Sequence, residues 1–344
     1  MTAADGTRPA GLAQLDDEMA RQRADALASL SVDGALADRI AARIGATGRL
    51  LMLGMGASHW TSRIVLGLYR DCGIDAHAEP LSDQIRRPSP DGGRVTLIAS
   101  QSGGSGEIAA YFRRLGRSDD HYGLTLNAGS ELARSVPCLV AEGGREKPFA
   151  ATRSIMVTLA LHASILHRLS GDLGTFMAFL SADQGIGPAF GALPKRLARC
   201  GAVYLTGRGA SHSVMEAAGL TLTELARVPT LAMEAGQLVH GPLEALDQST
   251  ALIVARGGGG DDEALSTLAA RAAGFGAAVA TIDNGDLPAV DGVDTIALPR
   301  GEGLGASAAL LVAAQRLAIE IAAERVEGAG FPRRSQKVTD GEAA

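Results

Sequence analysis

The sequence predicts an α/β protein made of two similar halves, each a parallel sheet flanked by helices. Short apolar runs typical of buried strands alternate with stretches whose apolar residues recur at helical spacing. The motif Gly-x-Gly-Ala-Ser-His occurs twice, and its first glycines, Gly54 and Gly207, are separated by 153 residues. Downstream, Leu97 matches Leu252 at an offset of 155 residues, and Thr125 matches Thr281 at 156. Collinear matches at a nearly constant offset indicate an internal duplication.

Composition sets bounds on the class of protein. The chain has 344 residues, of which 46% are apolar and 20% charged, which is a globular composition with room for two domains. Its net charge of −6 argues against a nucleic-acid surface. Three widely spaced cysteines, Cys72, Cys138 and Cys200, suggest a reducing compartment without disulfides. The seven histidines lack metal-ligand spacing, so no metal is expected.

No segment suggests secretion or a membrane. The N-terminus is charged and lacks the apolar core of a signal peptide. The uncharged apolar stretch from Ser154 to Leu166 is too short to span a bilayer. We therefore expect a cytoplasmic protein without nucleic-acid or membrane partners.

The first half begins with a helical segment and a strand that runs into a glycine turn. Leu12, Leu15 and Met19 recur at helical spacing within residues 1–45. A buried-strand run over 49–53 then leads through the first Gly-x-Gly-Ala-Ser-His turn into a helix over 60–69. The turn is not a dinucleotide fingerprint, because the sixth position is a histidine where that motif needs Gly or Ala.

The loop over residues 100–106 is the strongest candidate for a binding site. It follows an apolar strand run over 95–99 and precedes a helix whose apolar residues lie at i, i+3, i+4 and i+7, namely Ile108, Tyr111, Phe112 and Leu115. The first N–H groups of a helix have no internal partner and favour an anion. The loop has no Lys or Arg, so we expect a phosphate held by N–H and O–H groups. The alternative is a Ser/Gly loop with ordinary helix capping.

The second copy of this loop has lost its hydroxyl groups. It reads Ala255-Arg256 followed by four glycines, where the first copy has Ser100-Gln101-Ser102. The turn glycines persist, so the backbone turn is kept while the neutral donors are not. This difference predicts that the first half holds the phosphate and that the second contributes something else.

Between the halves, a loop over 142–153 leads into a long apolar helix over 154–169. Thr152 stands where it would cap this helix or line the same pocket, and capping is favoured for this residue alone. Residues 171–194 read as a mixed linker.

The second half places an acid and a histidine near each other in sequence. A helix over 212–227 carries Glu224 near its end, and His240 precedes a Gly-Pro turn. They could form an acid–base pair, but spacing alone favours a surface glutamate and a loop histidine. A mostly apolar, buried helix follows over 306–325. Lys337 lies in a basic tail that by itself reads as solvated.

Together, the duplicated GxGAS turn, SQSGGSGE and GQLVHGPLE resemble the sugar isomerase (SIS) domain family. The likeness is greatest to the isomerase half of glucosamine-6-phosphate synthases and to stand-alone amino-sugar phosphate deaminases, and it covers the chain from about residue 45. It implies two flavodoxin-like domains, 46–185 and 186–327, between an N-terminal helical segment over 1–45 and a C-terminal tail over 328–344. It also implies a homodimer without a metal or organic cofactor.

The resemblance assigns roles to individual residues. It implies that Glu224 moves a proton between C1 and C2, that His240, usually from the neighbouring subunit, opens the sugar ring, and that Lys337 closes over the substrate. The expected sugar- and phosphate-binding residues, with Thr152 placed among them, are Ser58, Ser100, Gln101, Ser102, Ser105 and Thr152.

The chain departs from the synthase pattern at three positions. Thr221 and Arg153 stand where the synthases have lysines, and Ala151 stands where they have a serine. The expected activity is a phosphosugar isomerase or deaminase acting on a hexose or hexosamine 6-phosphate. An amino-transferring reaction with ammonia or a partner is an alternative, since residue 2 is Thr2 and not a cysteine nucleophile. The other alternative is a non-catalytic sugar-phosphate sensor, for which the first 45 residues are too few to hold a DNA-binding domain.

Overall fold

Two parallel five-stranded sheets form the framework of this computed structural model. The structure describes residues 8–90, 92–169, 171–182, 190–257 and 261–335. The strands of the first sheet are β1 (Arg49–Gly54), β2 (Asp75–Pro80), β3 (Val95–Ser100), β4 (His121–Thr125) and β5 (Cys138–Val140). Those of the second are β6 (Ala202–Gly207), β7 (Thr230–Glu234), β8 (Thr250–Arg256), β9 (Ala278–Asp283) and β10 (Asp294–Ala297).

The two sheets share one strand order. The first runs β2-β1-β3-β4-β5, and the second, read from the corresponding edge, runs β7-β6-β8-β9-β10. Every paired strand is parallel to its neighbour, from Leu50 beside Val95 in the first sheet to Ala202 beside Thr250 in the second. The predicted α/β class with two parallel sheets is therefore confirmed, and the sequence repeat corresponds to a repeat in topology.

Helices pack on the faces of both sheets and between them. They are α1 (Ala10–Ser29), α2 (Gly34–Thr47), α3 (Ala57–Asp71), α4 (Leu81–Arg86), α5 (Gly106–Leu115), α6 (Glu131–Ser135), α7 (Arg153–Arg168), α8 (Gly174–Ser181), α9 (Leu193–Leu197), α10 (Gly209–Ala226), α11 (Ala235–Val239), α12 (Asp262–Gly274) and α13 (Gly303–Arg325), with a 3₁₀ turn at Pro242–Ala245. The helix α3 of the first half packs against α10 of the second, and α10 packs against α13. One continuous apolar core therefore joins the halves.

One sequence expectation is confirmed and one needs correction. The N-terminal segment is helical as predicted and forms α1 and α2, with Leu12, Leu15 and Met19 buried. The expected linker over 171–194 contains α8 and α9, and Phe176 of α8 is fully buried against the core. This error arises because packing against elements far along the chain stabilises short helices that the local sequence does not reveal.

The helix α13 is long and apolar enough, by length and composition, to cross a membrane. However, 78% of its apolar window is buried inside the protein, where it packs against α10, α8 and α9. Its sequence is that of a helix surrounded by core on nearly all sides.

Candidate active site

A cavity of about 370 Å³ opens at the carboxyl ends of β1 and β3. This is where ligands bind in open parallel sheets, because the loops and helix N-termini converge there. The helices α3, α5 and α7 of the first half and α10 of the second supply its walls. The cavity is lined by Met55, Gly56, Ala57, Ser58, Thr61, Leu81, Ala99, Ser100, Gln101, Ser102, Ser105, Glu107, Ile108, Phe149, Ala151, Ser154, Ile155, Thr158, Leu220 and Glu224.

Two glycines let the backbone turn tightly around this cavity. A Cβ on Gly54 would lie 2.8 Å from the backbone nitrogen of His59, so β1 can approach the start of α3 only without a side chain. Gly103 has φ +62°, and a Cβ there would lie 2.2 Å from the Ser130 hydroxyl oxygen. Both positions therefore require glycine on steric grounds.

The loop after β3 places two serines, Ser100 and Ser102, in the cavity lining. The Ser100 hydroxyl accepts the N–H of Gly103 at 3.1 Å, and the Ser102 hydroxyl accepts that of Gly104 at 3.3 Å. Neither hydroxyl donates a hydrogen bond to any residue that the structure describes. The loop is thus fixed through the lone pairs of its serines, which leaves their protons free for a ligand.

The charged side chains in the described cavity lining are all acidic, and this lining contains no Lys, Arg or His. Glu107, in the first turn of α5, is 9% exposed, and its Oε2 has no hydrogen-bond partner among the described residues. Glu224 reaches the cavity from the last turn of α10, together with Leu220 one turn earlier. An anion bound here would have to be held by backbone N–H groups and hydroxyls, as the loop sequence predicts.

Thr152 lies behind the cavity wall. It is fully buried at the N-cap position of α7, and its hydroxyl donates to Oε1 of Glu146 at 2.6 Å. The predicted N-cap position of Thr152 is confirmed, but its side chain makes no capping bond; the Glu146 carboxylate instead accepts the N–H groups of Thr152 and Arg153 at 2.9 Å. The α7 side chains that do line the cavity are Ser154, Ile155 and Thr158, whose spacing places them on one helix face.

Two of the three departures from the synthase pattern point away from the cavity. The Arg153 guanidinium is fully buried and pairs with Glu18 and with Asp25 of α1, the latter at 3.1 Å. The Thr221 hydroxyl is buried and donates to the carbonyl of Ala217 at 3.2 Å. Ala151 alone lines the cavity.

The structure brings six of the nine predicted site residues together around the cavity, namely Ser58, Ser100, Gln101, Ser102, Ser105 and Glu224. His240 is exposed just after α11 and does not line it within one chain. Lys337 lies outside the described residues. Glu107, Ser154 and Thr158 line the cavity but were not predicted, although helical spacing identifies the face of α7 on which the last two lie.

A half-buried polar cluster joins α3 to α10 and contains the second of the two repeated histidines. Arg63 of α3 lies 3.3 Å from Glu216 of α10, and His212 lies 3.7 Å from the same carboxylate. Burial, with the charge of Arg63, lowers the pKa of His59 and lowers that of His212 to about 4. Burial raises the pKa of Glu216. The cluster therefore places neutral imidazoles between the halves at neutral pH.

A second cavity of about 320 Å³ occupies the corresponding place in the second half. The N-terminal residues of α10 line it together with Ile64 and Leu68 of α3, so α3 and α10 run in opposite directions. Its charged lining residues are Arg208, Asp261 and Asp262. Among the described residues of the chain, no group of three or more His, Cys, Asp or Glu side chains is placed to hold a metal ion.

Comparison with known proteins finds a family match in the second half. Residues 196–317, which include the second sheet, match the family model of the SIS domain. The family model covers only this half, so a second SIS domain in the first half remains a prediction, supported by the shared strand order.

Sequence similarity to a curated protein is distant, but it extends over most of this chain. The chain is 24% identical over 307 residues to a glutamine–fructose-6-phosphate aminotransferase (isomerizing) from Aeropyrum pernix, covering 82% of this chain and 49% of that protein. The chain therefore spans about half the length of this curated relative.

Two solved structures share the fold. A tagatose-6-phosphate ketose/aldose isomerase from Escherichia coli matches with a TM-score of 0.78 at 18% identity, covering 94% of each chain. A glucosamine-6-phosphate deaminase from Thermotoga maritima matches with a TM-score of 0.73 at 17% identity, covering 95% of this chain and 99% of that one. At such identities the matches establish the fold.

Proposed function

We propose that the chain is a phosphosugar isomerase of the deaminating type, which converts glucosamine 6-phosphate and water to fructose 6-phosphate and ammonia. The observation that carries the proposal is one cavity that combines the serine loop of the first half with Glu224 from the second. An anion site and a carboxylate base in one cavity are what such a reaction needs. The names of the similar proteins, an aminotransferase, an isomerase and a deaminase of sugar phosphates, support it.

The substrate phosphate would bind at the N-terminus of α5. Backbone N–H groups there, with the free protons of Ser100 and Ser102, would hold its oxygens without a cationic side chain. This remote anchor would supply binding energy for orienting C1 and C2 toward Glu224.

Glu224 would transfer the proton that interconverts the aldose and the ketose. It removes the C2 proton of the open-chain amino sugar, giving an enolamine, and returns a proton to C1, giving a 2-imino sugar. Water then adds to the imine carbon and ammonia leaves, so that atoms balance. General acid–base help of this kind contributes ~10²–10⁴-fold in rate.

His240 would open the sugar ring from a second copy of the chain. Within one chain it is exposed and outside the cavity, so the proposal requires a homodimer in which each site takes His240 from the partner. Mixing a Glu224→Gln variant with a His240→Asn variant tests this. In a symmetric dimer half of the randomly reassembled pairs are hybrids with one intact site, so roughly a quarter of wild-type activity should return. No return of activity would place His240 outside the site.

The deciding experiment follows ammonia and fructose 6-phosphate released from glucosamine 6-phosphate. Both products should rise in equal amounts with the wild-type chain and fail to rise with Glu224→Gln. Turnover of fructose 6-phosphate plus ammonia in reverse alone would favour the synthetic direction. Binding of a phosphosugar without any turnover would instead support a sensor.

A further inference from the structure

We infer that Glu146 is a positioning residue that fixes two groups of the cavity, Gln101 and Ser154; this inference rests on the proposed phosphosugar site. Glu146 is 2% exposed, and it lies in the loop before α7, outside every motif that the sequence singled out. Its carboxylate and its carbonyl act on different parts of the site.

The Glu146 carboxylate receives five donors from the start of α7. Oε1 accepts the N–H of Thr152 at 2.9 Å, its hydroxyl at 2.6 Å, and the N–H of Arg153 at 2.9 Å. Oε2 accepts the N–H of Ser154 at 3.3 Å and also its hydroxyl. These bonds satisfy the first free N–H groups of the helix and orient Ser154, which lines the cavity.

The Glu146 carbonyl holds the amide of the cavity residue Gln101. The Nε2 group of Gln101 donates to this carbonyl at 3.0 Å. Because the carboxylate ties residue 146 to α7, the carbonyl has a fixed place, and so does the side chain that bonds to it. One buried glutamate thus couples the loop after β3 to the N-terminus of α7.

The same carboxylate occupies the anion position of α7. Helix N-termini attract negative charge, and here an internal group already fills that position. A substrate phosphate is therefore directed to the α5 side of the cavity, where Ser102 and Ser105 lie.

The Glu146→Gln variant separates a positioning role from a purely electrostatic role, because the two roles predict opposite changes in affinity for the phosphosugar. Removing a negative charge near an anionic ligand should by itself tighten binding. A glutamine has only one acceptor oxygen, so at least two of the five donors would face an NH₂ group, and the wall would shift. We expect Kd for fructose 6-phosphate and KM for glucosamine 6-phosphate to rise at least ~10-fold, with a smaller change in kcat, since these contacts serve ground and transition states alike.

Glu142→Gln is the matched control, because Glu142 is exposed in the same loop and loses the same charge. It should bind and react like wild type. Unchanged or tighter binding by Glu146→Gln, or an equal loss in both variants, would overturn the inference. If Glu146→Gln only destabilised the fold, the active fraction and kcat would fall while KM stayed unchanged.

A double-mutant cycle keeps the test valid if Glu146→Gln fails to fold. Glu146→Asp retains the charge on a shorter stem, and it is combined with Gln101→Ala. Binding losses that are smaller together than their sum would show that Glu146 acts through Gln101, and additive losses would refute it. Binding without glucosamine 6-phosphate turnover would refute the proposed reaction but leave this inference testable by fructose 6-phosphate affinity. No binding of either phosphosugar by the wild type would refute both.

Discussion

The loops after β3 and β8 follow corresponding strands of the two sheets but use their side chains in opposite ways. In the first, Gln101 faces the cavity, and Asn127 donates to the carbonyl of Ser102 at 3.2 Å. In the second, the corresponding Arg256 turns inward, is 1% exposed, and pairs with Asp283. The offsets of 155 and 156 residues relate Gln101 to Arg256 and Asn127 to Asp283.

This difference shows how one turn can serve binding in one copy and packing in the other. Gln101 and Asn127 are neutral and donate to the carbonyls of Glu146 and Ser102, and serine residues beside them line an open cavity. In the second half, Arg256 does not line the corresponding cavity; it pairs inside the protein with Asp283 and also donates to Ser266 at 2.8 Å and to the carbonyl of Pro288 at 3.0 Å. A buried ion pair that is satisfied by internal carbonyls has no free donor for a ligand.

The largest contrast should appear at the acid that each long helix carries near its end. The 153-residue offset relates Glu224 of α10 to Asp71, the exposed last residue of α3. Under the proposed function, Glu224→Gln should lower kcat for glucosamine 6-phosphate ~10²–10⁴-fold, because the proposed proton carrier is lost. Asp71→Asn should react like wild type in the same ammonia-release assay. Comparable losses in both variants would mean that the copies are not specialised.

The inward ion pair of the second copy should be essential for stability. Arg256→Gln leaves Asp283 buried and unpaired, and breaking such a pair costs ~3–5 kcal/mol of unfolding free energy. Urea denaturation measures this, with Gln101→Ala as the first-copy control, expected to cost less than ~1 kcal/mol because Gln101 is half-exposed.

Adding Asp283→Asn to Arg256→Gln gives the second half the two neutral residue types that the first half has at the corresponding positions. The double variant should recover much of the lost stability, because the uncompensated charge is gone. A double variant as unstable as Arg256→Gln would show that the two loops require different pairs for reasons of shape.

Acid should destabilise the protein through its buried histidines. The pKa of His212 is lowered by burial to about 4, and burial lowers that of His162 to about 3. The unfolded value is about 6.5, so the unfolded state binds more protons below that pH, and stability present above pH ~6.5 is lost as pH falls toward ~4. Each histidine should contribute a loss of about 2 kcal/mol at pH ~5.

Urea midpoints at pH ~7 and ~5 measure this loss. His212→Gln should remove its share of the pH dependence, which tests whether the histidine of the second copy is as neutral as its site suggests. A wild-type midpoint that does not fall with pH would contradict the prediction.

The smallest effect is expected from exchanging single loop residues between copies. Ser100→Ala should raise KM for glucosamine 6-phosphate ~10-fold, since one hydrogen bond to a charged phosphate is lost. Ala255→Ser, at the corresponding second-copy position, should leave KM unchanged. Inorganic phosphate affinity by calorimetry provides the same comparison without turnover.

Much of the fold follows from local pattern, whereas parts of the site do not. The strand runs that become β1 and β3, the long helices and the loop after β3 were predictable because apolar spacing and glycine turns depend on neighbouring residues. The partners of Arg153 were not, since Glu18 and Asp25 lie more than a hundred positions away. The N-cap position of Thr152 was predictable, but the group that caps the helix was not, because Glu146 follows no standard capping spacing.

Because α3 and α10 pack in opposite directions, both halves of the chain contribute residues to the cavity. Serines from one copy and a carboxylate from the other meet only when the two halves dock, so neither half, expressed alone, carries a complete site. Under the proposed function, loss of either half would therefore remove part of the catalytic centre.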